Sequence, residues 1–217
     1  MATTDIPVFW LHMPAAMPLP ADLALRLSAS SQGRLAGMTH ASRALQFVLG
    51  RLLLLHAARA LLAPDLRLAD LAEHADGYPV LPDYPVCRAS ISHSGTVLAV
   101  ALNPAGACGL DIEAEQPRNY ARLARKFCPA DERWLAEADD EPDARTRFYT
   151  LWTLREAAYK GGWRAHVVGE PPALSGDAGP LPAWDTTQLA PDLRATLVWP
   201  QPCRIAPCAV TAAALAV

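Results

Sequence analysis

The residues best suited to chemistry fall in two short runs, Gly109-Leu110-Asp111-Ile112-Glu113 and Leu151-Trp152-Thr153-Leu154-Arg155-Glu156-Ala157-Ala158-Tyr159-Lys160. The first lies in a stretch, Cys108 to Ile112, that reads as a strand, and the strand period of two puts Asp111 and Glu113 on one face. The second reads as helix, where Trp152, Glu156 and Lys160 recur at i, i+4 and share a face. A strand and a helix so arranged bring three carboxylates and a lysine together. Oxygen ligands of this kind suit a hard divalent cation such as Mg²⁺, which commonly holds substrate phosphates. Taken singly, each motif is ordinary: an Asp-x-Glu pair is usually a solvated strand face, and a Glu–Lys pair a surface ion pair.

The elements that must carry these residues follow from the surrounding pattern. Residues 20–63 read mostly as helix; Ser42 to Leu62 is its clearest part, and Pro64 closes it. Gly50 is unfavourable inside that helix and points to close packing or close approach of a ligand. Gly77-Tyr78-Pro79 is turn chemistry, and residues 89–103 read as a hairpin turning at Ser94-Gly95. Asn103-Pro104-Ala105-Gly106 breaks the chain near its midpoint. Beyond it we expect a strand at 107–113, helices across 120–137 and 144–160, and strands near 193–199 and 207–216. The span Gly169 to Pro191, with five prolines and three glycines, reads as a surface excursion. The expected fold class is α+β in two comparable lobes, residues 1–104 and 105–217.

Composition narrows the function. At 217 residues, 52% apolar and 19% charged, the chain can bury a substantial core. Its start has no basic stretch ahead of an apolar one, which argues against a secretory signal. The longest apolar segment, around Leu52 to Leu55, is interrupted by Arg51, His56 and Arg59 and reads as too short and too polar to span a bilayer. Five cysteines without a Cys-x-x-Cys pair suggest neither a disulfide framework nor a zinc site, and fit a reducing cytoplasm. A net charge of −3 argues against general nucleic-acid binding. Locally, Pro117 to Lys126 holds Arg118, Arg122, Arg125 and Lys126 with no acid among them.

Several further motifs accompany the first two in a fixed order. They are Arg43 through Gly50-Arg51, Gly77-Tyr78-Pro79, Ser92-His93-Ser94-Gly95 and Phe127-Cys128-Pro129-Ala130-Asp131-Glu132. With those gaps, residues 28–163 resemble the Sfp-type 4′-phosphopantetheinyl transferases. The resemblance implies two pseudo-symmetric α+β lobes in one chain, with coenzyme A and Mg²⁺ (or Mn²⁺) in the cleft between them. It also implies transfer of the 4′-phosphopantetheine arm of coenzyme A to a serine of an acyl or peptidyl carrier protein, with release of 3′,5′-ADP. Carried over to this chain, Asp111, Glu113 and Glu156 are the metal ligands, and Lys160 contacts the reacting phosphates. Ser92 and His93 bind coenzyme A phosphates, His93 near the 3′-phosphate; Arg43, Arg51 and Arg155 add phosphate contacts. Glu156 is a better base for the incoming serine than Glu113. The basic run Arg118, Arg122, Arg125 and Lys126 then suits docking of an acidic carrier protein. Two lobes in one chain make a monomer sufficient, and the sequence does not choose among fatty acid, polyketide and nonribosomal peptide carriers.

The chain departs from the family pattern at Tyr78 and Arg155, where lysines are usual, and at Leu55 or His56, where a second arginine is common. Gly161-Gly162-Trp163 matches only loosely. His12, His40, His56, His74 and His166 are expected in structural or surface roles. Two other readings compete. One is a degenerate transferase serving as a coenzyme A or carrier-protein scaffold. The other is a pyrophosphohydrolase of Nudix type, disfavoured because Ala157, Ala158 and Tyr159 stand where its paired glutamates are needed.

Overall fold

The computed structural model describes residues 2–14, 21–127, 132–163 and 182–215. The chain divides into two compact units. Ile6–Cys108 groups with Ala206–Val217, here the N-terminal unit, and Gly109–Ile205 with Met1–Asp5, here the C-terminal unit.

The N-terminal unit is built around one helix. Its elements are β1 (Thr4–His12, whose first two residues group with the other unit), α1 (Ala21–Leu25), α2 (Ala29–Ala36), α3 (Ala41–Leu61), β2 (Ala72–Glu73), β3 (Pro79–Val80), β4 (Arg88–Ser94) and β5 (Val97–Asn103). Along α3 every residue from Phe47 to Leu55 is buried, the mark of a helix covered on more than one face. Phe9 and Leu11 of β1, Leu98, Val100 and Leu102 of β5, and Leu66, Leu68 and Leu71 join it in one apolar cluster. On length and composition alone α3 could cross a membrane, contrary to the expectation that this segment is too short and too polar; in this fold it is the core helix. Every residue of β5 is buried, so Val97 to Asn103 shows no alternation. The hairpin forms where the sequence places it: Ser94 pairs with Val97, and Gly95 takes the positive φ of 55° that a two-residue loop requires.

The C-terminal unit contains β6 (Gly109–Ala114), α4 (Tyr120–Phe127), α5 (Glu132–Ala136), α6 (Glu141–Lys160), β7 (Ala183–Ala190) and β8 (Leu193–Trp199). The strands form an antiparallel sheet in the order β6-β8-β7, and α6 packs on β6 and β8. Asp140 caps α6, its carboxylate accepting from the Asp143 N–H at 2.8 Å, with Pro142 in the first turn. A last strand, β9 (Cys203–Ala209), completes the other sheet, ordered β4-β5-β1-β9.

Three expectations need correction. Residues 183–190 are strand β7 rather than surface excursion; Pro182 and Pro191 flank the strand and mask a Thr-rich stretch that pairs along β8. The final strand begins at Cys203 and ends at Ala209, not 207–216, because Pro207 is tolerated on an edge strand. Strand β1 is hidden in the sequence for the same reason: Pro7 interrupts a segment whose Ile6, Val8 and Leu11 are buried.

Candidate functional site

In the C-terminal unit the site is set by a contact between backbones. A Cβ placed on Gly109 would lie 1.8 Å from the carbonyl oxygen of Ala157, so only glycine lets α6 rest directly on β6. Two residues along β6, the Asp111 side chain is 7% exposed, and Lys160 Nζ donates to its Oδ1 at 2.6 Å. Glu113, next on that face of the strand, pairs in register with Arg194 of β8. Glu156 keeps an exposed edge one turn before Lys160. Its carboxyl titrates above the ordinary value: partial burial contributes most, then the charge of Asp111, with Glu113 adding and the Lys160 ammonium opposing. Glu156 therefore feels the other two carboxylates and the lysine.

Three hard oxygen donors concentrated in this way fit the chemistry of a divalent cation. Their present positions do not make a coordination shell. Among the described residues no group of three His, Cys, Asp or Glu side chains stands in a metal-holding arrangement. The ammonium of Lys160 lies beside Asp111.

Behind these residues runs a buried polar network that the motifs alone do not reveal. Thr153 of α6 and Thr196 of β8 share a hydrogen bond of 2.6 Å, and Thr196 donates to Thr186 of β7 at 3.1 Å. Thr196 lies in register with Asp111, so the pair ties α6 to the strand beside the carboxylate. Glu115, with its side chain 2% exposed, accepts from Arg194 Nε at 2.6 Å. One signal was available: Asp111, Glu113 and Glu115 continue the period of two. Gly161-Gly162-Trp163 also has a structural role. Trp163 N–H bonds the Ala158 carbonyl and Gly162 N–H that of Tyr159, with Gly162 at φ 89°, a Schellman cap ending α6 just after Lys160.

The N-terminal unit collects cations around one histidine and one glutamate. Arg43 Nη1 lies 3.1 Å from His93 Nε2, which brings two of the expected phosphate contacts together. Ser92 is buried and His93 exposed, as neighbours on opposite faces of β4. Arg51 is nearly buried. Its Nε and Nη2 donate to the two oxygens of Glu73 at 2.7 Å, and its guanidinium stacks 4.4 Å from the centre of the Phe47 ring. Arg34 and Ser31 also donate to Glu73, and Arg34 donates to the Gly77 carbonyl. Burial pushes the Glu73 carboxyl up, but Arg51, Ser31 and Arg34 outweigh it and hold Glu73 below its usual range. Glu73, Arg34 and Ser31 are the members of this cluster that sequence reasoning missed. Tyr78 stacks on His74, rings 4.3 Å apart and 15° from parallel, and Leu55 lies in the core.

Arg122, Arg125 and Lys126 are exposed on α4, with Arg118 exposed just before it. Arg125 approaches Glu132 of α5 at 3.9 Å, so the run lacks acids in sequence but not in space. Cys128 to Asp131 of the Phe127–Glu132 motif, and His166, lie outside the described residues.

Residues 107–161, which contain β6, α4, α5 and α6, match the model of the 4′-phosphopantetheinyl transferase superfamily. The chain is 34% identical over 82 residues to the 4′-phosphopantetheinyl transferase AcpT of Salmonella typhimurium, covering 36% of this chain and 43% of that protein. It is 32% identical over 84 residues to the 4′-phosphopantetheinyl transferase Sfp of Bacillus subtilis, covering 39% and 37%. With the 4′-phosphopantetheinyl transferase psf-1 of Bacillus pumilus it shares 28% over 113 residues, covering 52% and 48%. The chain thus spans less than half the length of each of these relatives.

Proposed function

The chain belongs to the 4′-phosphopantetheinyl transferase superfamily, and from that premise we propose that it transfers the 4′-phosphopantetheine arm of coenzyme A to a serine of an acyl or peptidyl carrier protein. The observation that carries this reading is the gathering of Asp111, Glu113, Glu156 and Lys160 on β6 and α6, within the stretch that matches the family.

In the proposed reaction the carrier's serine oxygen attacks the phosphorus on the pantetheine side of the coenzyme A pyrophosphate. The bridging P–O bond breaks, and 3′,5′-ADP leaves with the electron pair. Glu156, exposed on α6 one turn before Lys160, takes the serine proton. Lys160 offsets charge on the phosphates, and Arg155 on the same helix adds a second cation. Asp111, Glu113 and Glu156 would hold Mg²⁺ or Mn²⁺, which neutralises pyrophosphate charge when bound. In the N-terminal unit, Arg43 and His93 suit the coenzyme A phosphates, His93 the 3′-phosphate. Arg51 contributes through the Glu73 cluster, and Ser92 through its backbone.

The two units support a pair of pseudo-symmetric lobes divided near residue 104, since each lays one long helix, α3 or α6, against an antiparallel sheet. The run Arg118 to Lys126 docks the carrier. A single chain suffices, working in the cytoplasm on carriers such as those of polyketide or nonribosomal peptide synthesis. Intact-mass measurement of a purified carrier incubated with the protein, coenzyme A and Mg²⁺ tests this. A phosphopantetheinyl gain on the serine is expected, lost in Asp111→Ala, in Glu156→Ala and in excess chelator, with circular dichroism unchanged in both variants. Coenzyme A cleavage without carrier modification would indicate hydrolysis, and binding without turnover a scaffold; either overturns the proposal.

A further inference from the structure

Thr153 lies on the buried face of α6, less than one turn before Glu156 and two turns before Lys160, and is fully buried. Across from it stands Thr196 of β8, also fully buried and in register with Asp111 of β6. Hydroxyls hidden there need partners, and each finds one. Thr153 Oγ1 donates to the Tyr149 carbonyl at 2.8 Å, and Thr186 Oγ1 to the Ala195 carbonyl at 3.1 Å. The proton of Thr196 remains, with Thr153 at 2.6 Å and Thr186 at 3.1 Å as its acceptors. Thr196 is therefore the polar junction between helix and sheet.

Around this junction α6 meets β8 through Leu154, Ala157, Ala158 and Val198, an apolar contact. Such packing is non-directional and tolerates a slide or a turn of the helix, whereas a hydrogen bond does not. The Ala157 backbone against Gly109 fixes how close α6 comes. One turn earlier, Thr153 against Thr196 fixes where the helix stands along the strands and which way it faces. We infer that Thr153 and Thr196 are positioning residues: their hydrogen bond holds α6 in the setting that presents Glu156 and Lys160 beside Asp111 for transfer. The inference rests on the proposed reaction, in which Glu156 takes the serine proton and Lys160 meets the phosphates. Both threonines are buried, so they act through the helix and not on the substrate.

The test separates the hydroxyl from the methyl at one position, with carrier modification followed by intact mass in the presence of coenzyme A and Mg²⁺. Thr153→Val keeps the shape and removes the hydroxyl. Thr196 retains Thr186 as acceptor, so no polar group is stranded, and Tm should stay within a few degrees. In this variant kcat should fall by about 10- to 100-fold, the cost of a misplacement of about 1 Å, while the KM for coenzyme A stays within about threefold. Thr153→Ser keeps the hydroxyl and should hold kcat within about threefold of the unaltered protein. Thr186→Val, at the outer end of the chain, should do the same, because Thr196 then gives its proton to Thr153 alone. Should Thr153→Val prove insoluble, Thr153→Ala replaces it in the comparison with serine. Equal kcat in the hydroxyl-free and serine variants overturns the inference. So does an equal fall in Thr186→Val, which would show a general loosening of the sheet. Transfer by the unaltered protein stands in both of those cases. If the unaltered protein modifies no carrier, the transfer reading fails and the positioning role fails with it.

Discussion

Arg51 and Glu73 lock together inside the N-terminal unit, and the consequences are measurable. Glu73→Ala leaves a nearly buried guanidinium uncompensated, which costs about 3–5 kcal/mol; urea unfolding should show it, with Arg51→Met in the same background restoring much of the loss. The pair also sets an acid dependence. In the folded protein the Glu73 carboxyl titrates below its usual value, which the unfolded chain retains. The stabilisation is complete above the ordinary glutamate range and is lost as the pH falls through the depressed folded value. Glu73→Gln should flatten this acid-side slope, and an unchanged slope would show that Glu73 does not carry it. The cation at Arg51 was legible beside Gly50, but its partner was not. Glu73 lies 22 residues away on a two-residue strand that no periodicity announces. Asp111, Glu113, Glu156 and Lys160 were legible because strand and helix periods each fix a face, and the two motifs then need only one contact between their elements.

Helix α6 and strand β6 meet at Gly109, where the fold accepts no side chain. Gly109→Ala drives a Cβ into the Ala157 carbonyl and must push the helix off the strand, a cost of at least about 3 kcal/mol, seen as lost soluble protein or a collapse in Tm. Gly50 is the contrast. A Cβ there meets the Ile91 methyls at 3.5 and 3.8 Å, ordinary contact, so Gly50→Ala should be neutral or stabilising by up to about 1 kcal/mol. The sequence had marked Gly50 as the tight position and passed over Gly109, because a glycine opening a strand raises no conflict with propensity. Most of the helices and the β4–β5 hairpin were legible from composition and turn chemistry. Strands β1 and β7 were not, and β9 was expected late, near 207–216: each contains or abuts a proline, and their places in the sheets follow from long-range pairing. Gly162→Ala, at φ 89°, should loosen the end of α6 by about 1–2 kcal/mol.

As a whole the molecule carries a net charge of −3, so an acidic carrier must be met by a local surface. The surface proposed for this is exposed Arg122 and Lys126 on α4. Reversing both to glutamate should raise the KM for carrier protein several-fold and flatten its salt dependence while the KM for coenzyme A stays constant; loss of coenzyme A binding with an unchanged carrier KM would refute the assignment. The α+β class was legible from the alternation of helical and strand-like runs, whereas the exchange of chain ends between the two units was not, since it depends on which strands pair across the sequence. The central claim is transfer, and transfer has a stoichiometry. In one reaction of carrier protein, coenzyme A and Mg²⁺, both products are quantified over time, carrier bearing phosphopantetheine by intact mass and 3′,5′-ADP by chromatography. The account predicts that they appear in equal amounts, and that neither appears when the carrier serine is replaced by alanine. Release of 3′,5′-ADP with that serine-free carrier, or no modified carrier at all, would contradict it.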